Sequence, residues 1–140
     1  MANFIKKSAL YVVFAVSLLS TLGSFYFSEI LGWALCSLCW YQRVLVISLV
    51  LILAVGIIFR DTKCYRYILP VSVLGTLVAL FHNLLYWGVI PESAVPCANG
   101  ISCTAANLAI AGFVTIPFLS LIAFALITTL VLMYKKYQNE

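Results

Sequence analysis

Charge is scarce in this sequence. Of 140 residues, 8 are Lys or Arg and 4 are Asp or Glu, so 9% are charged where an average soluble domain carries about a quarter. With 65% of residues hydrophobic, a soluble fold of this length could not hide its apolar surface, which excludes a soluble globular domain. No charged residue falls between Ser93 and Tyr134. The few cations flank apolar runs and form no stripe, so the net charge of +4 does not indicate nucleic-acid binding. Histidine occurs once, at His82. Internal repeats and low-complexity tracts are also missing.

What the chain has instead is a series of apolar runs near the ~20 residues that cross about 30 Å of hydrocarbon. Lys6 and Lys7 precede an uncharged run over 8–28. That run exceeds the ~7–15-residue core of a signal peptide and lacks a small-x-small cleavage site, so a retained first span is expected. An outward loop over about 29–40 leads to a second span over about 41–59. A basic turn with Arg60, Asp61, Lys63, Cys64 and Arg66 follows, then a third span over about 67–88. Pro70 should sit in the first turn of that span, where a missing N–H is tolerated. The loop over about 89–112 carries Pro91, Glu92, Pro96, Cys97, Asn99, Gly100 and Cys103, all turn signals or thiols. The fourth span is expected over about 113–134, with the helix proper starting near Ile116 and Thr115 as its N-cap. Residues 104–112 are expected to form a short interfacial helix. The whole of 1–140 reads as a single all-α integral membrane domain, a bundle of four transmembrane helices.

The cations orient it. Lys6, Lys7, Arg60, Lys63, Arg66, Lys135 and Lys136 fall on one side of a four-span chain, which the positive-inside rule makes cytoplasmic, with both termini. The loops holding Glu29 and Glu92 then face outward. Cys36, Cys39, Cys97 and Cys103 lie on the oxidising face, and Cys64 alone on the reducing side.

Four outward cysteines in two pairs permit three pairings. Cys36 and Cys39 have the C-x2-C spacing of catalytic dithiols, and a helix N-terminus would favour the thiolate of one of them. Cys97 and Cys103 close a small loop, which a purely structural disulfide also explains. Four thiols can coordinate zinc. Against that, the exterior is oxidising and the outward loops hold no histidine, so no resident metal is expected. Haem attachment would need His after the second Cys, where Trp40 stands. Cys64 reads as a nonessential cytoplasmic thiol.

Arg43 lies one helical turn beyond Cys39, roughly 6 Å deeper at about 1.5 Å of rise per residue. A charge inside a span costs about 2.5–3.5 kcal/mol on insertion scales and usually marks function, snorkelling to the outer headgroups being the alternative. Trp33, Trp40, Tyr41, Tyr86 and Trp87 cluster near the same interface, as an aromatic belt or as a surface on which a quinone ring can stack. His82 is either a buried hydrogen-bonded histidine or a member of the same pocket as Arg43.

The stretch Cys36-Ser37-Leu38-Cys39-Trp40-Tyr41-Gln42-Arg43 resembles the C-x-L-C-x-Y-x-R signature of the bacterial disulfide-bond formation protein B (DsbB) family, closest to its shorter BdbC-type branch. The likeness extends to four spans, a second outward cysteine pair and a last span opened by Ile116-Pro117-Phe118-Leu119-Ser120-Leu121. It implies a bacterial plasma-membrane enzyme, active on its extracytoplasmic side, that reoxidises a thioredoxin-like thiol oxidase of the DsbA/BdbD type. Electrons would pass to a membrane quinone, menaquinone or ubiquinone. The partners implied are that oxidase and membrane lipid, with no nucleic acid. By motif position, the resemblance implies that Cys97 would form the mixed disulfide, Cys103 and Cys36 would pair transiently, Cys39 would face the quinone and Arg43 would polarise a quinone oxygen. His82 and Trp40, from their positions, are the further candidate cofactor-binding residues. Cys97 and Cys103 are closer together than in longer-looped members of the family.

Redox physics agrees. A dithiol oxidant near about −120 mV cannot be regenerated by a structural disulfide below about −300 mV, so the electrons need an acceptor of higher potential. Two other readings fit parts of the pattern. One resembles vitamin K epoxide reductase, where the loop cysteines precede the C-x2-C pair. The other is a non-enzymatic thiol-based metal-ion carrier, which needs its thiols reduced.

Overall fold

The computed structural model describes residues 2–95, 102–104, 109–112 and 114–139, with 2, 3, 5, 6 and 109–111 described by backbone alone. Four long helices dominate: α1 (Ala2–Phe25), α2 (Ser37–Ile58), α3 (Tyr65–Tyr86) and α4 (Ile116–Asn139). Each is long and apolar enough to cross a membrane. At about 1.5 Å per residue, even the 22-residue helices exceed about 30 Å of hydrocarbon. α1 packs on α2 and α4, and α3 packs on the same two, so the bundle closes as a ring in chain order.

The core runs down the axis of that ring, through Val13, Val46, Leu49, Leu53, Ile68, Ala79, Phe124, Ile127 and Val131. Outward-turned Leu51, Val55, Leu77, Ile122 and Leu132 stay exposed, as a lipid-facing surface requires. Hydroxyls inside the helices bond to their own backbone. Ser17, Thr21, Ser48, Thr76 and Thr129 each donate to the carbonyl four residues back, so polar residues enter hydrocarbon already paired.

Helix ends follow local chemistry. α2 and α3 both stop in a Schellman arrangement. Asp61 N–H returns to the Gly56 carbonyl at 2.9 Å, and Val89 N–H to that of Leu84 at 3.0 Å. The left-handed residue is Gly88 (φ 77°) in one and Arg60 (φ 53°) in the other. Thr115 caps α4, its hydroxyl accepting from Phe118 N–H at 3.3 Å.

Two expectations need correction. α3 begins at Tyr65, so Pro70 lies in its second turn rather than its first and offers no N–H to the Arg66 carbonyl. The interfacial helix expected over 104–112 does not form across Ala109–Ala111, which instead pair antiparallel with Val114–Thr115. Gly112, at φ 55°, reverses the chain so that this short segment folds back on itself. Residues 105–108 of that expectation lie outside the described residues.

The α3–α4 contact depends on Gly75. A Cβ there would overlap the Phe124 ring, whereas one at Gly23 would meet nothing within 4 Å. Gly75→Ala should therefore cost about 1–3 kcal/mol by overpacking. Gly23→Ala should be neutral or stabilising, because Gly in a helix interior costs roughly 0.5–1 kcal/mol relative to Ala. Thermal unfolding of the two variants in detergent separates them. Equal midpoints would contradict the close approach of α3 and α4.

Candidate active site

After α1 the chain passes through a π-helical turn, Tyr26–Ile30, and then runs without regular secondary structure into Cys36. Cys36 does not lie within the helix. It is the N-cap of α2 (φ −74°, ψ 165°), and its sulfur accepts from Cys39 N–H at 3.4 Å. A cap sulfur turned back to the N–H of the third helical residue comes to lie beside that residue's own side chain. The two Sγ atoms are 2.9 Å apart, against about 2.05 Å in a disulfide, so the pair stands as thiols within easy reach of bonding.

The hydrogen bond to Cys39 and burial push the Cys36 thiol from 9.0 up to about 12, so Cys36 is held in its protonated form. His82 opposes the shift without cancelling it. Alkylation needs the thiolate, so at pH 8 Cys36 of the reduced protein should react about a hundred- to a thousandfold more slowly than a free thiol. The rate should still be rising with pH at pH 10, where a free cysteine has levelled off. Mass-mapped iodoacetamide labelling against pH measures this, and a rate at Cys36 that levels near pH 9 would overturn it.

His82 reaches this pair from α3. It is fully buried, with Nε2 at 3.8 Å from the Cys36 sulfur and 3.2 Å from the Cys103 carbonyl oxygen, and Nδ1 at 3.1 Å from the Gln42 carboxamide. Cys103 is buried in the same cluster, with Leu38 and Leu85. Its position is held by Glu92, whose Oε1 accepts from Cys103 N–H at 3.2 Å and from the Ser102 hydroxyl at 2.5 Å. An acid near the start of the loop thus holds the backbone that carries the Cys103 thiol.

Arg43 points the other way, toward α1. It is 4% exposed. Its Nε donates to the Ser24 hydroxyl at 2.9 Å, and one Nη donates to the Ser24 carbonyl at 2.6 Å and the Ser28 hydroxyl at 2.7 Å. The guanidinium also lies 4.6 Å from the Phe25 ring centroid and 5.4 Å from that of Trp40. Ser24 and Ser28 flank the point where α1 gives way to the π-helical turn, so the cation fastens α2 to the end of α1.

Between α1, α2 and α4 lies a cavity of about 370 Å³. Its walls are mostly apolar, with Leu19, Phe27, Val46 and Leu119 among them, and Cys39, Gln42, Arg43 and Ser24 converge at one corner. Cys39 therefore has the cavity on one side and Cys36 on the other.

The structure gathers Cys36, Cys39, Cys103 and His82 into one cluster, and sets Arg43 with Cys39 on the cavity. Trp40 is 54% exposed and does not line the cavity; its contact is with Arg43. Cys97 lies outside the described residues. Sequence reasoning missed Gln42, which lines the cavity and bonds to His82, along with Ser24, Ser28 and the capping role of Glu92. Their signals were slight: a carboxamide beside Arg43 in an apolar helix, and two serines four apart at the end of a span.

Comparison with known proteins covers nearly the whole chain. The family described as disulfide bond formation protein DsbB matches residues 6–134. Disulfide bond formation protein C of Bacillus subtilis (strain 168) is 40% identical over 131 residues, covering 94% of this chain and 95% of that protein. A probable disulfide formation protein of Metapseudomonas resinovorans is 39% identical over 128 residues, 91% of this chain and 89% of its own. One of Chlamydia pneumoniae is 36% identical over 139 residues, covering 99% of this chain and all of that protein. No solved structure matches the chain significantly. Because the likeness runs from the first span to the last, rather than over the eight-residue motif alone, the chain belongs to the DsbB family of disulfide-forming membrane oxidoreductases.

Proposed function

We propose that this chain is a thiol:quinone oxidoreductase that reoxidises an extracytoplasmic thioredoxin-like thiol oxidase of the DsbA/BdbD type. The observation that carries the reading is the position of Cys39, with its sulfur between a buried thiol cluster and an apolar cavity. Electrons entering at the loop pair leave through Cys103 and Cys36 to Cys39, the one thiol of the three that borders the cavity.

A membrane quinone, menaquinone or ubiquinone, fits this cavity. About 370 Å³ is within the usual 300–1,000 Å³ of small-molecule sites, and its apolar walls with one polar corner suit a flat ring edged by oxygens. When bound, such a group supplies a two-electron, two-proton acceptor. The chain's own residues do the rest. Cys39 presents its sulfur at the cavity wall, and Arg43 fixes a permanent positive charge beside it. Gln42 links the cavity to His82, and His82 orients the Cys36 thiol and the Cys103 backbone. Cys97, which the family motif assigns to the mixed disulfide, exchanges with the protein partner.

The single domain over 1–140 is set with both termini in the cytoplasm and the thiol cluster outside. Supporting this, the α1 start with Lys7, the α2–α3 turn with Arg60 and Lys63, and the α4 end with Lys135 and Lys136 share one end of the antiparallel bundle. The deciding experiment is quinone-dependent oxidation of a reduced thioredoxin-like protein by the purified chain. Failure with both menaquinone and ubiquinone would sink the reading. Sidedness needs an introduced reporter, because Cys64 is 2% exposed and would resist a maleimide on either side. A Thr62→Cys variant in a Cys64→Ser background places a thiol at an exposed turn position. An impermeant maleimide should leave it unlabelled in intact cells and label it after lysis.

A further inference from the structure

An oxidising exterior and outward loops without histidine speak against a metal in the sequence alone. The fold supplies the histidine, because α3 delivers His82 to the thiols from within the bundle. Cys36 Sγ, Cys39 Sγ and a ring nitrogen of His82 lie within 4.8 Å of one another, and all three residues are buried. Two sulfurs and one imidazole with a fourth position left open form a recognised donor set for Zn²⁺.

The distances are close to what such an ion needs. Zn–S bonds of about 2.3 Å and Zn–N bonds of about 2.0 Å at tetrahedral angles separate two sulfurs by about 3.8 Å, and a sulfur from a nitrogen by about 3.5 Å. Cys36 Sγ and His82 Nε2 already stand 3.8 Å apart. The two sulfurs, at 2.9 Å, must open by roughly 0.9 Å, a small side-chain rotation at a helix cap. The outer partner is also in place. With its oxygen turned to His82, the Gln42 carboxamide accepts Nδ1–H and leaves the Nε2 lone pair facing the thiols. That tautomer gives up the Nε2 contact with the Cys103 carbonyl.

We propose that the reduced centre is a binding site for one Zn²⁺, held by Cys36, Cys39 and His82, and that its occupation stops turnover. This rests on the reading that Cys36 and Cys39 cycle between dithiol and disulfide. No electron moves on binding. The two thiols release their protons to solvent, the ion takes their place, and the fourth position is left to water. A Cys36–Cys39 disulfide has no thiolate to offer, so the site exists only while electrons wait in the pair. Zinc therefore arrests the enzyme when its electron acceptor is short and spares it when the acceptor is plentiful.

The test uses the full chain with Cys64→Ser, purified in detergent, reduced under anaerobic conditions and freed of reductant. Zn²⁺ is titrated against a chromogenic chelator, with Co²⁺ absorption as a separate reporter of thiolate ligation. One Zn²⁺ per reduced chain and none per oxidised chain is expected. Cys36→Ser and Cys39→Ser should each abolish stoichiometric binding. His82→Ala should weaken it about tenfold or more, and His82→Cys should restore it. Helicity and thermal unfolding check that each variant is folded. A Cys97→Ser/Cys103→Ser double variant should bind zinc as before. Equal binding by the oxidised chain, or binding that follows the loop pair, would overturn the proposal. No quinone or partner enters these titrations, so the two readings fail separately. Normal turnover without stoichiometric zinc overturns only the metal site. Stoichiometric zinc on a chain that never reduces quinone overturns only the proposed function.

Discussion

Arg43→Ala should raise the quinone concentration needed for half-maximal turnover, or slow quinone reduction, by about ten- to a hundredfold while leaving thiol exchange with the protein partner nearly unchanged. The guanidinium lines the cavity beside Cys39, where its charge is poorly screened. It is also a structural clamp. Its loss removes three charge-assisted hydrogen bonds to the half-buried Ser24 and Ser28, at a cost of about 0.5–1.5 kcal/mol for each bond, so the variant should also melt earlier. Two further variants separate these effects. Arg43→Lys keeps the charge but cannot donate to Ser24 and Ser28 with one planar fork, so it should recover part of the quinone kinetics and little of the stability. Ser24→Ala/Ser28→Ala keeps the cation and loosens its hold, so it should lower stability more than it slows quinone reduction. Steady-state kinetics on purified protein and thermal unfolding give both readouts. If Arg43→Ala melts early yet retains normal quinone kinetics, the residue serves only to join α1 to α2.

Cys39→Ser should abolish steady-state turnover, a loss of at least about a thousandfold, because no other described thiol borders the cavity. The loop disulfide remains able to act once. In a single-turnover mixture the variant should oxidise one equivalent of partner dithiol, leaving Cys97 and Cys103 as thiols, and then stop with no quinone reduced. Cys36→Ser should also halt turnover, but at the transfer between the two pairs. Quenched-flow measurement of partner thiols alongside quinone absorbance distinguishes the two. Continued quinone reduction by Cys39→Ser would remove Cys39 from the exit position and reverse the proposed direction of electron flow.

How much of this was legible beforehand follows from the range of each interaction. Four apolar runs dictate four helices, because in hydrocarbon a chain must pair its backbone internally and about 20 residues suffice to cross. The cysteine spacing, the Arg43 position one turn on and the Thr115 cap are local facts of a 3.6-residue period, and they are visible in a string of letters. Residues 104–112 misled because an uncharged alanine-containing segment carries no strong period, and Gly112 folds part of it into a hairpin. Contacts between helices are a different matter. That His82 enters the thiol cluster, while Arg43 crosses to Ser24 and Ser28, depends on how α2 is rotated between α1 and α3. Residues 40 apart meet there, as Gln42 and His82 do at 3.1 Å, because Val46, Leu49 and Leu53 turn the same face of α2 into the common core. The sequence by itself determined the number of spans, the family and the thiols. The tertiary structure decided which side of Cys39 meets the cavity and which meets histidine, since side-chain direction around a helix is settled by what packs against it.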